Sequence, residues 1–280
     1  PALARAREAA RRASCQNNLK QMGISFKMYA GEHRDIWPTM GYKRAQTVSG
    51  VENCNRAALR VMIDGPAMYP EYMSDAYVLV CPSDRDGQDR WQKGRYRING
   101  DVSLGIQPCK FDDLSYIYIK WALVPNQYMV NPALANAQPQ AYGTTISAAW
   151  KNRFNTWAAA VIAANPGNTE AGTHASAAVA HQDEINFSGH ETLPGTVRIF
   201  SLKEGIERFF ITDINNPAAS TVAASELPTM FDEVVLNPIH YSHVPGGGNC
   251  LFMDGHVEWL RYPSTGIATR AFATLLSTNP

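Results

Sequence analysis

The sequence predicts an α+β protein in which a long N-terminal helix packs against an antiparallel β-sheet, with helical and loop insertions. The first 33 residues consist largely of strong helix formers and carry an apolar stripe at helical spacing. Residues 111–123 are aromatic and β-branched, which indicates a strand in the centre of the sheet. Residues 249–260 have the alternation and the turn residues of a β-hairpin.

The N-terminal helix is predicted from its composition and from the spacing of its apolar side chains. The chain begins with a proline, which the first turn of a helix accepts. Five apolar residues fall within a stripe about 80° wide, and we expect them to pack on the body: Cys15, Leu19, Met22, Phe26 and Tyr29. The first half lacks such a stripe, so we expect it to project as a stalk. Because the chain starts without Met inside this pattern, we expect a helical segment before Pro1.

The chain divides into a stalk helix, 1–33, and a head, 34–280. Within the head, 124–196 is rich in Ala, Asn, Gln and Pro, and we interpret it as a variable insertion that contains a helix at 145–164. The other elements expected in the head are a short helix at 55–63 and strands at 77–81 and 197–202.

Charge and hydrophobicity exclude several classes of protein. The 280 residues contain 25 Lys and Arg against 25 Asp and Glu, so no net field attracts nucleic acid. With 45% hydrophobic residues, the chain can bury a sizeable core. No run of about 18 apolar residues is present to span a membrane. We therefore expect a folded head without a nucleic-acid partner.

The five cysteines are an odd number without a CxxC pair, which argues against a zinc ribbon or a thioredoxin-like motif. In an exported protein, one or two disulfides are expected. The first expectation is Cys81 with Cys109, because both lie in loop-like sequence and bracket one excursion of the chain. Cys54 is the next candidate and can exchange with either of them. Cys15 and Cys250 are interpreted as small buried hydrophobes.

One acidic run is a candidate cation site. The carboxylates of Asp84, Asp86 and Asp89 alternate around a glycine and can converge on Ca²⁺. No glutamate follows at the closing position of a twelve-residue calcium loop, so a polar surface turn is the favoured interpretation. Asp213 and Asp232 are further candidate ligands, although the sequence after Asp213 is typical of a turn.

The C-terminal segment predicts a β-hairpin. Strands at 249–253 and 256–260 are joined by a two-residue turn of Asp254 and Gly255, residue types that tolerate positive φ. His243 precedes the first strand, separated from it by a glycine-rich loop.

The same segment raises the alternative of a metal-dependent hydrolase, since His243, Asp254, His256 and Glu258 have the side chains of a Lewis-acid site. The strand period argues against it, because His256 and Glu258 share one face, as in a half-buried sheet with a polar outer surface. The sequence contains no nucleophile elbow, phosphate loop or HExxH helix. We therefore expect no enzymatic activity, and the hydrolase is the least favoured alternative.

Three segments resemble one known family. The string at 1–23, Cys-Pro-Ser-Asp at 81–84, and His243 followed by Asp254-Gly255 resemble pilin-like and type II secretion pseudopilin-like proteins. That family carries a prepilin-type N-terminal cleavage and methylation signal and a C-terminal signature of His, nine residues and Asp-Gly. Here ten residues separate His243 from Asp254, which puts a fixed role for His243 in question. The resemblance implies a pilin-like fold and an apolar anchor of about 20 residues that is absent from this chain.

The resemblance also implies a structural function. The protein would be a subunit or minor component of a type IV pilus-like or pseudopilus-like filament on a bacterial surface, anchored in the inner membrane before assembly. Its partners would be copies of itself or other pilin-like subunits, bound through the N-terminal helix, and the membrane, bound through the missing anchor. The charges available for pairing between subunits are Arg5, Arg7, Glu8, Arg11 and Arg12. Related secretion pseudopilins hold Ca²⁺ in a loop, which keeps the calcium interpretation open.

The first alternative function is a surface-displayed binding module, for example one for carbohydrate. Aromatic side chains exposed in a cluster would favour it, and Trp121, Trp150 and Trp157 are the candidates.

Overall fold

The computed structural model describes residues 2–136, 145–210, 222–233, 242–243 and 246–277. The candidate ligand Asp213 and residues 137–144 of the expected insertion lie outside these ranges. The helices are α1 (Ala2–Glu32), α2 (Gly65–Met68), α3 (Arg85–Gln92), α4 (Pro125–Tyr128), α5 (Ala148–Ala163), α6 (Glu170–Ala180) and α7 (Arg270–Ser277). The strands are β1 (Lys43–Val48), β2 (Val51–Ala57), β3 (Tyr116–Tyr118), β4 (Glu184–Ser188), β5 (Thr196–Phe200), β6 (Pro228–Asp232), β7 (Gly247–Phe252) and β8 (Val257–Arg261).

The helix α1 lies on an antiparallel sheet of four strands in the order β3-β6-β7-β8. All five residues of its apolar stripe, Cys15, Leu19, Met22, Phe26 and Tyr29, are buried. Phe26 packs between Trp37 and Tyr118, with ring centroids 5.3 and 5.1 Å away. Gly23 allows the helix to approach β7, because a Cβ there would lie 2.9 Å from Leu251 Cδ1. The predicted α+β fold is thus confirmed, and it is consistent with a pilin-like fold.

The predicted central strand at 111–123 is wrong in length and position. Only Tyr116–Tyr118 forms β3, and this strand pairs with β6 at the edge of the four-stranded sheet. Trp121 then forms a bridge with Ser201, just beyond β5. The segment is buried because the chain passes from one sheet to the other, and the apolar run reflects that burial rather than a long strand.

Two short elements also differ from the predictions. Residues Ala76–Leu79 form a 3₁₀ turn instead of a strand, since the Asp75 carboxylate caps it by accepting the Tyr77 N–H at 2.8 Å. The helix expected at 55–63 is absent, and residues up to Ala57 belong to β2.

The strands β1 and β2 form a hairpin through a tight turn, in which Ser49 and Gly50 both adopt positive φ.

The helix expected at 145–164 is present as α5, capped by Ser147, whose hydroxyl accepts the Trp150 N–H at 3.2 Å. The expected strand at 197–202 is present as β5, paired with β4 in a separate hairpin. The helix α6 lies beside α5 and was not predicted. None of the helices within the described ranges has both the length and the apolar character needed to cross a bilayer.

The C-terminal hairpin forms with a longer turn than predicted. Leu251 pairs with Val257, and the Phe252 N–H donates to the His256 carbonyl at 2.9 Å. The loop therefore has three residues instead of two, and its last residue, Gly255, adopts a φ of 95°. This is the geometry in which a tight turn is followed by a glycine in the left-handed region.

Candidate functional site

His243 is fully buried between α1 and the sheet. Its Nδ1 lies 3.0 Å from Glu8 Oε1 on α1, and its Nε2 lies 3.2 Å from Asp232 Oδ2 at the end of β6. The ring packs edge-on against Trp259 of β8, with centroids 5.4 Å apart. His243 therefore joins the first turns of the helix to two strands of the sheet. We call Glu8, Asp232 and His243 the junction triad.

Each carboxylate of the junction triad has further hydrogen-bond donors. Asp232 Oδ2 accepts the backbone N–H of Asn249 at 2.7 Å and its side-chain amide at 3.0 Å. Glu8 accepts the Ser83 hydroxyl at 3.2 Å. Burial lowers the pKa of His243, but hydrogen bonds and charge from Asp232 and then Glu8 raise it more, so this pKa lies above its usual value. In the imidazolium form, both ring N–H groups donate to a carboxylate.

The cysteine pairing differs from the prediction. Cys81 forms a disulfide with Cys15, and Cys109 forms one with Cys54, so the expected Cys81–Cys109 bond is wrong. Cys81 faces α1 because it follows the 3₁₀ turn that packs on this helix, and Cys109 lies in a turn that packs on the β1–β2 hairpin, which contains Cys54. Cys250 is buried and free, as expected, whereas Cys15 is a disulfide partner. The Cys15–Cys81 bond lies beside the junction triad, with Cys81 Sγ 3.5 Å from His243 Nε2.

The residues of the hydrolase alternative do not converge. His256 pairs with Asp254 in the exposed turn of the hairpin, where Nδ1 and Oδ1 are 2.6 Å apart. His243 instead contacts Asp232 and Glu8 in the interior. The signature residues Asp254 and Gly255 form the turn, and the structure places them apart from His243.

The candidate calcium ligands lie on a helix instead of a loop. Asp84 caps the N terminus of α3, where its carboxylate accepts the Gly87 N–H at 3.0 Å. Asp86 pairs with Arg90 at 2.9 Å and Asp89 with Lys93 at 2.6 Å, each one turn along the helix. The three carboxylates therefore have separate partners and do not surround a common point. The Asp84 cap, Asp86 in the first turn and the two pairs one turn apart explain why a helix forms here.

The tryptophan cluster is internal. Trp121, Trp150 and Trp157 are exposed by 1 to 3% of their surface, so they are not available to stack on a sugar. Trp121 and Trp157 pack edge to face with centroids 5.2 Å apart and hold α5 on the body. The exposure that would have favoured a binding module is therefore not met at these three positions.

The outward face of α1 is uncharged along its length. At 100° per residue, nine exposed residues form a stripe about 80° wide, opposite the buried stripe. They are Leu3, Ala6, Ala10, Ala13, Asn17, Gln21, Ile24, Met28 and Gly31. Leu3, Ile24 and Met28 are exposed by 65, 62 and 53%. We call these nine residues the outer stripe; it runs for about 42 Å at 1.5 Å per residue.

Some of the charged residues that we expected to pair between subunits make contacts within the chain. Glu8 belongs to the junction triad and also lies 3.5 Å from Arg12. The Arg12 guanidinium lies over the Trp259 ring, 4.5 Å from its centroid. Arg7 and Arg11 are exposed, and the Arg5 side chain lies outside the description. The sequence analysis did not predict that Glu8 contacts His243. Glu8 lies on the same side of the helix as the buried stripe, and a carboxylate in that position indicates a partner inside the protein.

A basic cavity of about 560 Å³ lies between the β1–β2 hairpin and the loop that follows α3. Its charged lining consists of Arg44, Arg60, Lys93, Arg95, Lys110 and Glu52. Asp112 pairs with both Arg95 and Arg60, and Glu52 pairs with Lys110 at 2.7 Å. Burial, and then the charges of Arg60, Arg56 and Arg95, lower the pKa of Arg44, against an opposing effect of Asp112.

Comparison with protein families gives a match over the N-terminal part of the chain. No curated protein and no solved structure matches the chain. The matched segment begins in α1, passes through the β1–β2 hairpin and α3, and includes both disulfides; it ends before the four-stranded sheet. Residues 4–110 match a family described as a protein of unknown function, DUF1559.

Proposed function

We propose that this protein is a structural subunit or minor component of a pilus-like or pseudopilus-like surface filament, and that it acts by assembly instead of catalysis. The observation that supports the proposal best is the outer stripe of α1. A helix on the surface of a monomeric protein normally carries charged residues along the middle of its solvent face, whereas the outer stripe carries none over about eight turns.

The occupant we propose for the outer stripe is α1 of neighbouring copies. Alanine and glycine allow helix backbones to approach closely, while Leu3, Ile24 and Met28 supply apolar surface. Charged side chains such as Lys20 and Lys27 flank the stripe and can set the register between copies. The opposite face of α1 is held to the head by Cys15, so the helix presents the stripe as a fixed surface.

Electron microscopy tests this proposal on the full-length protein, with the anchor that the resemblance implies, purified from the cell surface. We expect ordered filaments from the unaltered protein and their loss in Ile24→Glu and Met28→Glu. Val51→Glu is the matched control, because it makes the same kind of change at an equally exposed apolar residue of the β1–β2 hairpin, outside α1. Dispersed particles from the unaltered protein, or filaments unaffected by both stripe variants, would contradict the proposal.

A second candidate function is a displayed binding module for acidic carbohydrate, and the basic cavity favours it. Arginine and lysine side chains bind carboxylate groups, and the cavity is lined by five basic side chains and one carboxylate. Titration calorimetry with an oligogalacturonate, against a neutral oligosaccharide of the same length, tests it. We expect binding of the acidic ligand only, weakened about tenfold by Arg44→Gln, in line with the loss of one charged hydrogen bond. Equal binding of both ligands, or none, would exclude this function.

A further inference from the structure

We propose that Cys15, Cys81, Asp232 and His243 form a four-ligand Zn²⁺ site when the two cysteines are reduced. Each of these residues offers one ligand atom, and the four atoms lie within 4.8 Å of one another in the interior. Two thiolates, one imidazole and one carboxylate are the donor types that Zn²⁺ binds in tetrahedral sites. The site would lie between α1 and the sheet, and it does not depend on the proposed filament function.

Two distances around His243 fit a tetrahedral metal. Its Nε2 lies 3.5 Å from Cys81 Sγ and 3.2 Å from Asp232 Oδ2. For Zn–S bonds of about 2.3 Å and Zn–N or Zn–O bonds of about 2.0–2.1 Å, ligand atoms at the tetrahedral angle are separated by about 3.5 Å and 3.3 Å, respectively. The nitrogen therefore already has the spacing of a zinc ligand from one sulfur and from one oxygen. The two sulfur atoms move apart when their bond opens, and all four ligand atoms start within 4.8 Å of one another.

The surrounding hydrogen bonds also fit a metal site. His243 uses Nε2 toward the site, and its Nδ1 is held by Glu8 at 3.0 Å, which is the carboxylate–histidine arrangement that orients metal ligands. Asn249 fixes Asp232 through Oδ2. Among the described residues, no group donates a hydrogen bond to Asp232 Oδ1, which is buried in a residue that is 1% exposed. A buried carboxylate oxygen without a partner is costly, and a cation within reach would satisfy it.

The disulfide and the metal exclude each other. A dithiol reductant transfers two electrons and two protons to the Cys15–Cys81 bond, which gives two thiols and leaves the reductant as its own disulfide. Zn²⁺ then replaces the two thiol protons and, where His243 is an imidazolium, its Nε2 proton, and all of these pass to the buffer. Both states connect α1 to the body, one through a covalent bond and the other through four ligands from four segments of the chain.

The test uses the full chain in a Cys54→Ser/Cys109→Ser background, which removes the other disulfide. The protein is reduced without oxygen, and Zn²⁺ is titrated against a chromogenic chelator. We expect one Zn²⁺ per reduced chain and none per oxidised chain. His243→Ala and Asp232→Asn should weaken binding by more than a hundredfold, and Glu8→Gln by about 10–100-fold, as for other partners that orient ligands. His256→Ala is the matched control, because this imidazole lies in the exposed turn, and it should bind as the parent does.

A second measurement needs no variant that disturbs the fold. Bound Zn²⁺ should protect Cys15 and Cys81 of the reduced parent from alkylation, as mapped by mass spectrometry, and Co²⁺ should give the visible absorption of a tetrahedral thiolate site. Stoichiometric binding with this protection establishes the proposal. Absence of stoichiometric binding, or binding that leaves Cys15 and Cys81 open to alkylation, overturns it.

Discussion

Glu8 and His243 are 235 positions apart in the chain, yet Oε1 of one lies 3.0 Å from Nδ1 of the other. This contact attaches the beginning of α1 to the segment in front of β7, two turns before the apolar stripe of the helix begins at Cys15. The helix is therefore bound to the head over more of its length than the apolar spacing indicates. Only the residues before Glu8 extend beyond these contacts.

The Glu8–His243 contact should contribute to stability. We expect Glu8→Ala to lower the free energy of unfolding by about 1–2 kcal/mol, because the buried imidazole loses one of its two charged partners. A double-mutant cycle with His243→Ala in the oxidised protein, followed by urea unfolding, should give a coupling energy of about 1 kcal/mol. Arg7→Ala is the control, since this exposed side chain directly precedes Glu8 on the same helix. Additive effects of the two substitutions would show that the contact is energetically neutral.

An experiment can determine directly which cysteines are paired. Peptide mapping of the unreduced protein should give one linked pair containing Cys15 and Cys81 and another containing Cys54 and Cys109. Removing the first bond with Cys15→Ser/Cys81→Ser should cost about 4 kcal/mol, because 66 positions separate its cysteines and the unfolded chain gains that loop entropy. A linked peptide containing Cys81 and Cys109 would contradict the pairing described here.

Two glycines of α1 should respond in opposite directions. Gly23→Leu should destabilise the fold by about 1–3 kcal/mol. The Cβ that it adds would lie 2.9 Å from Leu251 Cδ1, and the rest of the side chain has no room between the helix and β7. Gly31→Ala has no heavy atom within 4 Å of the new Cβ and should stabilise the helix by up to about 1 kcal/mol. Thermal unfolding of both variants measures the effect. Equal stability of Gly23→Leu and the parent would mean that α1 does not lie this close to β7.

Asp64 should make stability depend on pH. This carboxyl is 3% exposed with one oxygen unpartnered, and burial raises its pKa to about 6, against a smaller opposing effect of Lys43. A folded pKa above the unfolded value of about 3.9 means that the folded state holds the proton more tightly. The stabilisation that comes from this difference in pKa is therefore complete below pH 4, and it is lost as the pH rises through 6.

The variant Asp64→Asn has no proton to lose at this position. Relative to it, the parent should lose about 2 kcal/mol of unfolding free energy between pH 4 and pH 7, since one pKa unit corresponds to about 1.4 kcal/mol and part of the change lies below pH 4. Urea unfolding of both proteins across this range measures the difference. Curves that stay parallel would show that Asp64 is solvated or paired in the folded state.

Local patterns account for the parts of the fold that were predicted correctly. The spacing of Leu19, Met22 and Phe26 defines the buried face of α1, because a helix repeats every 3.6 residues whatever it packs against. Serine before an alanine-rich segment marks the start of α5, since Ser147 satisfies a free N–H of the first turn. Glycine after Asp254 marks the hairpin, although three loop residues instead of two close it.

Errors arose where a residue's environment depends on distant segments. The aromatic run at 111–123 has high strand propensity, but neighbouring segments of the chain pair with only part of it as β3. Trp121, Trp150 and Trp157 are equally compatible with surface and core until α5 is placed on the body. The acidic run from Asp84 is a different case, because its helix depends on local contacts, the Asp84 cap and the pairs of Asp86 and Asp89 with residues one turn on.

By itself, the sequence determined the α+β class, the long N-terminal helix, the face by which it packs and the hairpin near the C terminus, because each is encoded in the periodicity and turn chemistry of a short segment. Only the tertiary structure decided which cysteines pair and that Glu8, Asp232 and His243 meet. Such contacts join residues that lie far apart along the chain, and no local period records which segments the burial of the core will bring together.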